Sequence, residues 1–134
     1  ISGRPIADLL RRYGEKAKLA LGAALYVEAQ GILAQSQSLV PVDTSAQRAS
    51  GYVTLPARFG RMIRVEIGYG GPATKINPKT GEPTSVYALT VHEDLNAFHP
   101  VGTAKFLEMP FRSAQKGMTE RIAAKMRATL GTIR

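Results

Sequence analysis

Apolar residues recur at three- and four-residue steps over the first third of the chain: Ile6, Leu9, Leu10, Tyr13, Ala17, Leu21, Ala24, Leu25 and Ile32. This period predicts one long amphipathic helix from Pro5 to about Ser38, with Pro5 suited to a first helical position. Gly14, Gly22 and Gly31 interrupt it; each weakens the helix by about 1 kcal/mol relative to alanine, or marks a place of close packing. Pro41 ends it, because proline has no N–H and pushes the residue before it toward extended geometry. The period then changes to two. "RMIRVEIGYG", residues 61–70, puts Met62, Arg64, Glu66 and Gly68 on one side of a strand, with Ile63, Val65, Ile67 and Tyr69 on the other. "SGYVTLPARF" (50–59) and "SVYALTVHE" (85–93) read as further strands, and "PARFGR" with Gly60 as a hairpin connection. "DLNAFHPVGTA" (94–104) reads as irregular. From Pro110 the helical period returns through Phe111, Ala114, Met118, Ile122, Met126, Leu130 and Ile133. Helix, strands, helix predicts an α+β domain in which two helices cover an antiparallel sheet of about four strands. The C-terminal helix docks its stripe on that sheet in preference to lying on a membrane surface.

Two connections break the pattern. In "LVPVDTSAQRASGYVTL" (39–55), Asp43 and Thr44 are both good helix caps. With Thr44 as the cap, Gln47 falls at the third helical position and completes a reciprocal Thr-x-x-Gln box, so a short turn over 45–49 precedes a strand near Ser50. "GGPATKINPKTGEPTS" (70–85) is rich in glycine, proline and lysine and includes Lys75, Asn77 and Lys79. Its length and composition predict an exposed arm between two strands.

Composition narrows the class. A length of 134 residues with 44% hydrophobic content fits a single domain, 1–134, with a modest core. The most apolar run, "LALGAALYV", stops at Glu28, short of the roughly 18 residues a bilayer span needs, so no membrane partner is expected. The opening "ISGRPIADLLRR" has neither the apolar stretch nor the cleavage site of a secretory signal. The absence of cysteine excludes disulfides, thiolate catalysis and cysteine-ligated zinc. A net charge of +8 points to polyanionic surroundings, nucleic acid first among them. The charge is polarised: residues 82–104 hold no Lys or Arg, whereas residues 105–134 hold seven basic residues against two acidic ones. Such polarity suits docking on a neighbour as well as it suits DNA.

Candidate chemistry is sparse. His92, Glu93 and Asp94, with His99 further on, form the one metal-like cluster, but Asn96 stands where a His-Glu-x-x-His site needs its second histidine. Structural metal sites use four ligands, and four are not gathered here. Asp43 beside Thr44 and Ser45 lacks the histidine a serine nucleophile needs. "GYGGPATK" (68–75) lacks the spacing of a phosphate-binding loop. Phe59, Arg61, Arg64 and Tyr69 interleave aromatic and basic groups without a recognised nucleic-acid motif, which leaves only non-specific phosphate contact. The reading is therefore non-enzymatic, with no cofactor and no metal.

The residues also carry a resemblance. "LVPVDTSAQRAS" resembles the Pro-Val-Asp-Thr-Gly-x-Leu-Arg-x-Ser signature that follows the first helix in the HK97 gp10-like family of tailed-phage proteins. "VYALTVHEDLNAFHPVGTAKFLEMPF" resembles that family's Tyr-Ala-x-x-Val-(His/Glu)-(Glu/Phe) strand, followed by the Gly and Phe-Leu-x-x-Pro that lead into its last helix. Order and spacing agree from about residue 6 to 130. The resemblance implies an α+β virion protein of the head–tail junction, of the kind called tail completion, neck or minor tail proteins. It implies a ring, of six or twelve copies, joining the DNA-filled head to the tail and letting DNA through. The implied partners are other copies of itself, the neighbouring connector or adaptor, and tail tube or tail terminator proteins. The implied location is the virion neck, with the host cytoplasm during assembly. Carried over, Pro41, Val42, Asp43, Thr44, Arg48 and Ser50 form the first motif. Tyr87, Ala88, His92, Glu93, Gly102, Phe106, Leu107 and Pro110 form the second, as fold-defining and interface positions. Two positions depart from the family: Ser45 replaces a glycine, and Gln47 replaces an apolar residue while completing the capping box. A small non-specific basic DNA-binding protein is the alternative reading.

Overall fold

The computed structural model describes residues 4–39, 51–69, 86–92, 98–101 and 105–131. The first helical stretch is two helices, α1 (Arg4–Tyr13) and α2 (Glu15–Leu39). Gly14 divides them with φ +58°, a left-handed conformation that glycine adopts without a Cβ penalty. Its N–H still bonds Leu10 and its carbonyl accepts from Lys18, so the chain turns at one residue. Arg11 and Arg12 in the last turn of α1 and Glu15 in the first turn of α2 complement the two helix dipoles. The single helix expected from periodicity is thus corrected to a helix pair. Its end at Leu39 agrees with the stop expected at Pro41.

The sheet holds β1 (Tyr52–Val53), β2 (Ala57–Phe59), β3 (Met62–Gly68), β4 (Val86–His92) and β5 (Phe98–Val101). All pairings are antiparallel, in the order β1-β3-β4-β5, with β2 also on β3. The expected strand over 50–59 is two pieces along one edge of β3. Between Val53↔Ile67 and Ala57↔Arg64 three residues oppose two, which is a bulge. Thr54 holds it: its N–H bonds the Glu66 carbonyl at 2.9 Å, and its Oγ1 accepts from the Glu66 N–H at 2.8 Å. Pro56 occupies the bulge, where its missing donor removes no ladder bond. The hairpin expected at Gly60 is present, with φ +57° there and Phe59 paired to Met62. β5 is a correction, since 94–104 was expected to be irregular. Its Pro100, paired with Leu89, is tolerated because the strand lies at the edge of the described sheet.

The last helical stretch is also a pair, α3 (Lys105–Gln115) and α4 (Met118–Gly131), parted by Gly117 at φ +69°. Helix therefore begins five residues before the Pro110 expected to start it. Pro110 lies inside α3, where it forfeits one helical hydrogen bond. Leu107 extends the apolar stripe N-terminally and is fully buried, and that burial, worth about 2 kcal/mol, offsets part of the loss. The stripe Phe111, Met118, Ile122, Met126 and Leu130 is buried on both sides of the break.

One core joins all layers. Ile63, Val65 and Ile67 from β3 and Leu89 and Val91 from β4 meet Leu21, Leu25 and Ile32 of α2 and the α4 stripe. The alternation expected for β3 holds: 63, 65 and 67 are buried, whereas 62, 64 and 66 are half-buried. The nearest neighbours of α4 are α2 and α1. By length and composition α2 could cross a membrane, which the stop at Glu28 had argued against; half of its most apolar window is buried in the fold.

Candidate functional site

Among the described residues the buried charged side chain is Glu28. Most of α2 between residues 19 and 39 is apolar or neutral, and Glu28 sits on its inner side with only 6% of its side chain exposed. Two cations from α4, one turn apart, converge on it. Arg121 Nη2 lies 2.7 Å from one carboxylate oxygen and Lys125 Nζ 3.0 Å from the other. Burial pushes the Glu28 carboxyl up, but the hydrogen bonds and charges of Arg121 and Lys125 outweigh it and hold the group below its usual range. Arg121 also donates to the Lys116 carbonyl at 2.6 Å and to the Ala114 carbonyl, one just past the end of α3 and one in its last turn. One guanidinium thus ties α2, the C-terminus of α3 and α4 together.

Beside this tie runs a groove between α2 and α3. One part, about 280 Å³, is lined by Val27, Gly31, Gln35 and Ser113, with Glu28 and Arg121 at its end. The next part, about 350 Å³, shares Gln35 and Ser113 and adds Ser38, Leu39, Met109 and Pro110. Leu39 is 48% exposed and Met109 69%, so the groove presents apolar surface to its surroundings. The donors of Arg121 are engaged within the protein. Beyond Glu28 and Arg121 the lining mixes apolar side chains with neutral polar groups.

Further close packing is set by glycines. A Cβ on Gly22 would stand 3.1 Å from Pro56 Cβ, so the glycine lets the bulge approach α2. Gly31 meets nothing within 4 Å, so the idea of close packing holds for Gly22 and not for Gly31. At Gly51 a Cβ would lie 2.9 Å from Gln37 Nε2 and 3.0 Å from Leu33 Cδ1. The backbone at Gly51 therefore lies against α2, and Tyr69 fastens the same place by a 2.7 Å hydrogen bond to Ser36.

The residues singled out in the sequence fall as follows. Pro41, Val42, Asp43, Thr44, Arg48 and Ser50, with the corner expected over 45–49, lie outside the described residues. So do Lys75, Asn77 and Lys79 of the arm, and Glu93, Asp94 and Gly102. Gly68↔Val86 pairing makes 69–85 the connection of a hairpin, as expected. Tyr87 pairs with Ile67 in β4, and Ala88 is buried beside it. His92 pairs with Met62 and His99 with Thr90, on neighbouring strands. Among the described residues no three metal-ligating side chains gather. Phe106, Leu107 and Pro110 lie in α3, with Leu107 in the core. The aromatic and basic set of Phe59, Arg61, Arg64 and Tyr69 is not one surface, since Tyr69 is buried and Arg64 bonds Glu66. Glu28 with Arg121 and Lys125 was missed; its one sequence signal was a lone charge in an apolar helix.

No protein family, curated protein or solved structure matches this chain.

Proposed function

We propose that this chain is a structural protein of the head–tail junction of a tailed phage or phage-like particle, assembling as a ring that joins head to tail and lets DNA pass. The observation that carries this reading is the α2–α3 groove with its exposed Leu39 and Met109, a surface that another protein would cover. Two further exposed apolar residues, Leu55 at 75% and Phe59 at 55%, lie on the bulged sheet edge and take no part in the groove lining. Two unlike surfaces on one chain are what a head-to-tail contact requires, and a closed ring is one outcome of such a contact. The test is removal of the chain from a producing particle, with a labelled copy located by imaging. Filled heads and separate tails, and label at the neck when the chain is restored, are expected; normal particles without it defeat the proposal.

The net charge of +8 supports the second reading, a small non-specific DNA-binding protein. That protein would hold duplex DNA tightly at low salt through many phosphate contacts and lose affinity steeply as salt rises.

A further inference from the structure

We infer that the elbow at Gly14 is a contact surface for nucleic-acid backbone. The left-handed turn joins the last turn of α1 to the first turn of α2, so Arg11, Arg12, Lys16 and Lys18 all lie within four residues of it along the chain. Arg58 of β2 reaches the same corner, 2.9 Å from Glu15. Against these five cations stand two carboxylates, Asp8 on Arg11 and Glu15 on Lys18 and Arg58. Arg12 and Lys16 make no ion pair among the described residues, and both are exposed. Arg12 lies over the Tyr13 ring at 5.5 Å, and that ring is itself 38% exposed. A stacked guanidinium keeps its donors outward, and an exposed aromatic beside cations offers a face to bases in single-stranded stretches.

Nucleic acid is favoured over an anionic membrane because the apolar side of α1 is already used. Ile6 is fully buried and Leu9 and Leu10 pack on the core, so α1 has no apolar face left to insert between lipids. A surface of two or three phosphate contacts grips weakly and lets a duplex slide, unlike the many-contact binding of a dedicated DNA-binding protein.

The test is a salt titration of the isolated chain with a labelled duplex, read by fluorescence anisotropy. The chain is expected to bind at low salt, and Arg12→Gln with Lys16→Gln to lower the log–log salt slope by about two. Between about 50 and about 200 mM salt the parent should therefore lose about tenfold more affinity than the variant. Arg12→Lys with Lys16→Arg should keep the parent slope, as should the remote pair Arg112→Gln with Lys116→Gln at the C-terminal end of α3, beside the Arg121–Glu28 tie. Equal losses in the remote pair and the elbow pair, no duplex binding at low salt, or binding to phosphatidylserine vesicles but not to duplex would each overturn the inference. Particle imaging tests the proposed assembly separately, so either can fail alone.

Discussion

Glu28 shows what one buried carboxylate demands of a small core. A charge taken out of water must be paired, and Arg121 and Lys125 do so from 93 and 97 residues away. Removing either cation leaves the other, so Arg121→Ala or Lys125→Ala should each cost about 1 kcal/mol in urea unfolding. The double variant strands the carboxylate and should cost about 3 kcal/mol, well above the sum. Since the folded state holds the Glu28 carboxyl below its ordinary value of 4.5, its contribution is fully present above that value and is lost as pH falls through the lower folded one. Stability followed from about pH 7 to about pH 3 should drop less steeply in Glu28→Gln than in the parent; parallel curves would refute the pairing. The glycines separate by the same kind of local reasoning. Gly31→Ala should stabilise by about 0.5–1 kcal/mol, because its new methyl meets open space. Gly22→Val should destabilise by about 1–3 kcal/mol against Pro56.

At the scale of elements, the same device appears twice: a glycine at positive φ, preceded by basic residues and followed by an acid, splits both helical stretches. The signals "RRYGE" and "QKGMTE" were legible. Periodicity concealed them, because the apolar stripe continues across each break. β5 was hidden for a different reason. Proline argues against a central strand, and only the pairing on β4 shows that this one is at an edge. The bulge is likewise a matter of pairing, since the extra residue exists only by comparison with β3. Thr54→Val should therefore cost about 1–2 kcal/mol by leaving the part-buried Glu66 N–H without its acceptor, as a thermal melt would show.

For the whole molecule, the groove and the bulged edge each expose apolar side chains, and the proposed assembly would use both. Leu39→Ser with Met109→Ser should keep stability within about 0.5 kcal/mol, since both side chains are exposed, while sharply reducing incorporation into particles. Deletion of residues 72–83 tests the arm as an inter-subunit contact, and normal assembly into tailed particles would count against it.

The sequence by itself determined the α+β class, the apolar face of β3, the stop of α2 and the stripe that becomes α3 and α4, because each depends on spacing between near neighbours. The tertiary structure alone decided the partners of Glu28, the approach of Pro56 to Gly22, the pairing of β5 and the groove. Those join residues tens of positions apart, and no local period records which distant side chain will be across the core.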